Sequence, residues 1–245
     1  MADITLYQFA SSHYNEKARW ALDWKGVPHR RVSLLPGPHA PRMKRLTGRT
    51  QTPALVDADT VVPGSAEILA HLERRFPDPP LLPDTPAERE RALAIAREFD
   101  EDVGPAVRLA KFHEVLSSDY ALRVFCAEQS NLARGLYRAS FPLVKRIMKA
   151  SMAINAENAE RGRQRVGEAF DFVAAETAVR GYLVGDRFTI ADLTCAALLM
   201  PAVEVGDLGG PASAGTDAER AWLARYADHP GAAWVRDIYR RHRTH

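Results

Sequence analysis

Between residues 4 and 76 the apolar positions switch between a two-residue and a helical period. "ITLYQFA" (4–10) alternates as a strand does, and Tyr14, Ala18, Ala21 and Leu22 then share one helical face that Gly26 and Pro28 close. "HRRVSLL" (29–35) resumes as a strand, which makes a βαβ unit with a right-handed crossover. "PALVD" (53–57) and "TVVP" (60–63) flank turn residues as the arms of a hairpin, and "SAEILAHLERRF" (65–76) is apolar at 68, 69, 72 and 76, a helix. The order β-α-β then β-β-α predicts a small mixed sheet with helices, the size of a thioredoxin-type domain over residues 1–78.

"PDPPLLPDTP" (77–86) holds five prolines in ten residues and cannot continue a helix, so a linker is expected over 79–88. Strand signals stop there. The remaining pattern predicts helices at 87–115, 119–150 with an interruption near Pro142, 157–178, 190–203, 218–227 and 231–242, an all-helical domain over 89–245. "GDLGGPASAGTDAE" (206–219) reads as a loop. "GDRFTIADL" (185–193) is the sharpest local signal. Thr189 is placed to cap a helix, Asp192 to reach back to the cap, and Phe188 with Leu193 to form a hydrophobic staple. This motif concerns folding and carries no catalysis.

Composition narrows the field. The 245 residues suit one large domain or two modest ones, and 46% apolar with 26% charged residues is an ordinary globular balance. No apolar run approaches the ~20 residues that span a bilayer, and "MADITLYQ" has no leader pattern, so a cytoplasmic protein without membrane contact is expected. The net charge of +2 is too small to imply nucleic acid. Part of it lies in "RMKRLTGR" (42–49), read as a solvated face or, second, as attraction for a carboxylate-bearing ligand. Cys126 and Cys195 lie far apart in apolar surroundings, without metal-ligand spacing; both read as buried reduced thiols, and no metal is expected.

The chemistry concentrates at "SHYN" (12–15). Ser12 and Asn15 stand at the two ends of a Cys-x-x-Cys spacing with neither sulfur present, so this corner cannot form a mixed disulfide and glutaredoxin-like reduction is excluded there. Ser12 precedes the first helix, where amide groups point outward and favour an anion; it equally suits a plain N-cap.

The two-part organisation, "GDRFTIADL", "QTPALV" and "GSAEI" at their mutual spacing, and "SHYNEKARWALD" together resemble the cytosolic glutathione transferases, over essentially the whole chain. The last stretch is similar to a bacterial branch in which cysteine often stands where Asn15 does; no class is assigned. The resemblance implies a thioredoxin-like glutathione-binding domain followed by an all-α domain, a homodimer, and an enzyme that adds the glutathione thiolate to a small apolar electrophile. A non-catalytic binding or scaffold protein of the same fold is the alternative. The resemblance makes Ser12 the catalytic hydroxyl, with Ser11, Tyr7 and Tyr14 in reserve. A thiol of pKa about 8.5 is only a few per cent ionised at neutral pH, and lowering it by ~2 units takes about 2.7 kcal/mol, within reach of a charge-assisted hydrogen bond plus helix-end amides.

The same resemblance implies a cis Thr52-Pro53 bond beside the cysteinyl backbone of glutathione, Gln51 toward its glycyl end, and Ser65 at the γ-glutamyl carboxylate. Asn15 orients the substrate or satisfies first-turn amides, and His39 and Arg42 meet the glycyl carboxylate or remain solvated. Gly64 departs from the pattern, since an acidic residue or glutamine there usually meets the γ-glutamyl amine; Glu67, Glu98, Asp100, Glu101 and Asp102 are candidate replacements. The electrophile is expected near Val107, Phe112 and Tyr137, three residues that also read as core.

Overall fold

A computed structural model describes residues 4–203 and 215–243. Strands β1 (Thr5–Gln8), β2 (Arg30–Ser33), β3 (Ala54–Asp57) and β4 (Thr60–Pro63) form one sheet in the order β2-β1-β3-β4. β1 pairs parallel to β2 (Tyr7 opposite Val32) and antiparallel to β3 (Leu6 opposite Leu55), and β3–β4 is the expected hairpin. Helices α1 (His13–Trp24) and α3 (Ser65–Arg75) pack on the sheet through Ala18, Leu22, Ile68, Leu69 and Leu72, all buried. The thioredoxin-like half is as read from the pattern, with one addition. Helix α2 (Ala40–Thr47) carries most of the basic run; Pro41 opens its first turn and Gly48, at φ 75°, ends it in the left-handed conformation that glycine adopts without strain.

The helical half comprises α4 (Pro86–Glu98), α5 (Gly104–Val115), α6 (Asp119–Phe125), α7 (Asn131–Ser151), α8 (Ala156–Thr177), α9 (Ile190–Leu199), α10 (Asp217–Ala224) and α11 (Pro230–His242). Three expectations are corrected. The helix predicted over 87–115 is divided by a π turn, Phe99–Val103. Pro105 lacks an N–H and its ring crowds the carbonyl four residues back, which the wider turn accommodates. The helix predicted over 119–150 does not break at Pro142, which α7 carries on its exposed side. The break falls at Cys126–Ser130, where the Ser130 hydroxyl accepts from the Ala133 amide and starts α7 afresh. The helix predicted to reach 203 stops at Leu199, followed by a 3-10 turn, Met200–Ala202. Most of the loop expected over 206–219 lies outside the described residues.

Two apolar cores result. The larger runs from the sheet through α1 into α4, α5, α8, α9 and α11; the smaller joins Leu116, Ala121, Tyr137, Phe141, Val144, Met148 and Ile154 around α6 and α7. The "FTIADL" segment ties the first core together. The Thr189 hydroxyl accepts from the Ala191 amide, and the wholly buried Asp192 accepts from the Leu183 amide, the Thr189 amide and the Thr189 hydroxyl, at 2.8, 2.8 and 2.9 Å. Phe188 stacks on Trp20 of α1, with centroids 5.7 Å apart, so the cap also orients a contact between the two halves.

Thr189→Ala removes one cap and is expected to cost ~1 kcal/mol. Asp192→Ala strands three buried donors and should cost about 3 kcal/mol or more. Urea unfolding checks the order; equal losses would show that Asp192 does no more than the cap.

Candidate active site

α1 is enclosed on nearly all sides. His13 and every residue from Asn15 to Leu22 are buried, so its polar side chains must find partners inside the protein. Lys17 meets Asp100 of the π turn at 2.6 Å. Arg19 binds Glu16 and Gln8, at 2.8 and 2.7 Å, and also the carbonyl of Ala10, which fixes the loop leading into the helix. Arg243 reaches Glu16 at 2.7 Å and Asp23 at 2.8 Å from beyond α11. Burial pushes the Lys17 ammonium down and the Asp100 carboxyl up, and each charge partly offsets the shift of the other.

Two further side chains bolt the mouth of α1 to the helical half. Tyr14 donates its hydroxyl to the Asp100 carbonyl at 2.6 Å, and His13 Nε2 lies 3.1 Å from the Gly104 carbonyl. Burial, reinforced by the nearby Arg108 guanidinium, lowers the His13 pKa to about 3, so the ring is neutral and donates Nε2–H to Gly104. Tyr14 packs against the larger core with its hydroxyl occupied, and burial drives its pKa upward, so it is not a reserve for thiol activation.

Ser12 occupies the N-cap position of α1 with an extended backbone (φ −89°, ψ 130°), yet its side chain makes no capping hydrogen bond. The hydroxyl of this half-buried residue is not spent on the helix. Asn15, one turn on and wholly buried, donates Nδ2–H to the Thr52 hydroxyl at 3.2 Å, while its Oδ1 has no partner among the described residues. Thr52-Pro53 is cis, and the Pro53 carbonyl accepts the Gly64 amide at 2.9 Å. Ser12 and Asn15, Thr52 and Pro53, and Gly64 and Ser65 therefore line up along one side of the first domain.

Ser65 is the first residue of α3 and is buried; Gly64 before it is the N-cap, at φ 92°. That conformation suits glycine alone, and a Cβ there would run into the Glu67 carboxylate. The Glu67 carboxylate lies over Gly64; it also pairs with Arg49 at 3.4 Å, and its charge reaches Lys17 and Asp100. Glu98 and Asp102 are engaged by Arg165 of α8, away from this cluster.

The remaining predicted residues gather less tightly. Arg42 lies over the Tyr7 ring, 4.7 Å from its centroid, and donates to the Tyr7 hydroxyl at 3.3 Å. His39 packs edge-on against Phe9 at 4.7 Å, and its Nδ1 accepts the Gly37 amide. Gln51 and Ser11 are exposed. Val107 is sealed in the larger core and Tyr137 in the smaller; only Phe112 is partly open. The electrophile site expected around these three is corrected accordingly. Cys126 and Cys195 are free and buried, and burial raises both thiol pKa values, which removes them as nucleophiles. Sequence reasoning missed His13, Lys17 and Arg108; their partners lie 83 or more residues away, or on another helix, and no local spacing announces them.

Residues 6–80 match the model of the glutathione S-transferase N-terminal domain, and residues 125–230 that of the C-terminal domain, so the two cover most of the chain. The chain belongs to the glutathione transferase family. Among relatives, glutathione S-transferase 1 of Dianthus caryophyllus is 28% identical over 165 residues, 65% of this chain and 71% of that protein. A stringent starvation protein A homolog of Haemophilus ducreyi is 29% identical over 99 residues, 40% of this chain; the match spans 46% of that protein, about half its length. A solved glutathione S-transferase of Methylobacterium radiotolerans, in complex with glutathione sulfonate, is 26% identical with a TM-score of 0.62, covering 98% of this chain and 91% of that one. Within this family fold, no group of three or more metal-ligating side chains occurs among the described residues, and no described helix is long and apolar enough to cross a membrane.

His13 imposes a pH dependence. The unfolded chain binds a proton here below pH ~6.5 and the folded one only near 3, so stability is constant above 6.5 and falls as the pH drops toward 3. At pH 4.5 the loss should be about 2–3 kcal/mol larger than in His13→Asn, as read by urea unfolding at pH 7.5 and 4.5. Parallel losses in both proteins would contradict the buried neutral imidazole.

Proposed function

We propose that the protein binds glutathione along the Ser12–Thr52–Ser65 side of its first domain and adds the thiolate to a small electrophile. The observation that carries this reading is the uncommitted Ser12 hydroxyl at the mouth of α1, held beside the cis Thr52-Pro53 turn by the Asn15–Thr52 hydrogen bond. A thiolate placed there meets outward-pointing first-turn amides, the positive end of the helix dipole and one hydroxyl donor. Ser12 donates to the sulfur, the thiol proton leaves to solvent, and the anion is ready to attack. The side chain needs no proton-accepting role.

Other contacts follow the same line. Thr52's amide and carbonyl take no part in the described backbone hydrogen bonds, which leaves both to pair with the cysteinyl residue of the tripeptide. Ser65 and the first amides of α3 suit the γ-glutamyl carboxylate. Glu67, lying over Gly64, receives the γ-glutamyl ammonium in place of the missing side chain at 64. Arg42, with Gln51 and His39, is assigned to the glycyl carboxylate. The electrophile rests where Phe112 is open, against the apolar surroundings of the second core. We take the protein to be a homodimer, and its two free cysteines suit the reducing cytoplasm.

The scaffold reading has one observation in its favour: Gly64 lacks the side chain that usually meets the amine. Turnover separates the two. Ser12→Ala should lower kcat/KM for conjugation of glutathione to 1-chloro-2,4-dinitrobenzene about 100-fold and return the bound thiol to a pKa of about 8.5, with glutathione affinity changed less than about threefold. Turnover that ignores Ser12→Ala would contradict the assigned role; glutathione retention without turnover in the unaltered protein would favour the scaffold.

A further inference from the structure

The cations of α1 and its C-cap all have anionic partners: Asp100 for Lys17, Glu16 for Arg19 and Glu73 for Lys25. On α5, Lys111 pairs with Glu219. Arg108 of the same helix differs. It is half-buried, yet none of the described residues pairs with its guanidinium or accepts a hydrogen bond from it. Of the carboxylates six residues to either side, Asp102 is held by Arg165 and Glu114 by Arg163. A charge drawn partly out of water without a partner is costly, and an arriving anion removes that cost.

Its place on the helix says which anion. Gly104, Arg108 and Phe112 follow one another at intervals of four along α5, so they share a face, with about 6 Å of helix between each pair. The Gly104 carbonyl accepts from His13, the neighbour of Ser12. Phe112 is the partly open edge of the second core. Arg108 therefore stands between the turn assigned to the sulfur and the apolar surface assigned to the electrophile. Burial moves the His13 pKa down and that of Tyr14 up, and the Arg108 charge acts on both in the downward direction, so it is felt at the mouth of α1. Neither ring offers it a negative charge, because both have spent their polar atoms on Gly104 and Asp100.

We propose that Arg108 receives a carboxylate of the second substrate, so that the electrophile is an acid with an apolar body and not the wholly apolar molecule that the sequence resemblance implies. The inference rests on the Ser12 reading for the attack itself. A guanidinium presents two parallel N–H donors that match the two oxygens of a carboxylate, a fit that a single sulfur anion does not use. Holding the acid at Arg108 fixes which edge of the apolar body is turned toward Ser12, and so which carbon the sulfur meets. With a chloronitroarene the sulfur–carbon bond forms, chloride leaves with the carbon–chlorine electron pair, and the thiol proton passes to solvent. No oxidant or reductant takes part.

A matched pair of substrates tests this: 4-chloro-3,5-dinitrobenzoate, an anion at neutral pH, and its methyl ester, each rate divided by that of glutathione alone with the same compound. The full chain is expected to favour the acid about 30-fold in kcat/KM, mostly through KM, and Arg108→Gln to lose that preference. Arg108→Lys keeps the charge, so a partial preference there separates the contact from a loss of folding. Calorimetry with 3,5-dinitrobenzoate, which has no leaving group, reads the same contact without turnover; its Kd should be at least about tenfold weaker in Arg108→Gln. Equal handling of acid and ester by the unaltered chain overturns the inference and leaves the Ser12 reading standing. So does an equal loss of both in Arg108→Gln with a raised pKa of the bound thiol, which would give Arg108 to the sulfur. No turnover of either compound, with dinitrobenzoate binding that still depends on Arg108, overturns the thiolate reading and supports the acid site. Binding that ignores Arg108→Gln overturns the acid site whatever the turnover.

Discussion

The structure depends on burying a charged helix between two domains. α1 is covered by the sheet on one side and by α9 and the π turn on the other, yet it carries Glu16, Lys17 and Arg19. Each of these ions loses its water and is tolerated only because a partner waits at fixed distance: Asp100 for Lys17, Glu16 and Gln8 for Arg19, and Arg243 for Glu16. Pairs of this kind add little net stability over well-packed apolar groups, but breaking one leaves an uncompensated buried charge. They therefore act mainly as registration devices. The Lys17–Asp100 and Arg243–Glu16 pairs cross between the halves, so a placement that separated them would leave a buried charge unpaired.

That placement explains why the mouth of α1 is rigid while one hydroxyl in it stays free. His13 and Tyr14 spend their polar atoms on Gly104 and Asp100, Asn15 spends a donor on Thr52, and Arg19 holds the Ala10 carbonyl. The Ser12 side chain makes no such bond with the helix it precedes. A helix end whose neighbours are fixed and whose cap hydroxyl is uncommitted is preorganised for an anion, because no donor has to be withdrawn from another partner when the ligand arrives. Glu67 follows a similar logic one element away, filling with its carboxylate the space that Gly64 leaves open.

Much of this was legible in the residues. The change of period at residue 13, the hairpin around 58–59, the proline-dense stretch after Phe76 and the Thr189–Asp192 box each rest on local chemistry, and local chemistry is what spacing reports. The missed or misplaced features are of another kind. α2 is short and polar, so only Pro41 and Gly48 marked it. Pro142 looked like a break because the sequence does not tell which face of α7 is solvated, and the π turn arises from Gly104-Pro105 inside an otherwise continuous helical pattern. At the site, Ser12, Asn15, Thr52, Pro53 and Ser65 belong to short motifs and could be nominated from them. The Lys17–Asp100 and His13–Gly104 contacts join residues more than 80 positions apart, and the placing of the Glu67 carboxylate over Gly64 depends on a side-chain direction that no pattern encodes.

The central claim is that one alcohol group steadies the sulfur anion of a bound tripeptide. A crystal structure of the protein with glutathione tests it most directly. The account predicts the sulfur within about 3.5 Å of Ser12 Oγ, with the γ-glutamyl end against Ser65 and Glu67. A sulfur lodged instead against Tyr7, or a cleft that stays empty at saturating glutathione, would contradict it.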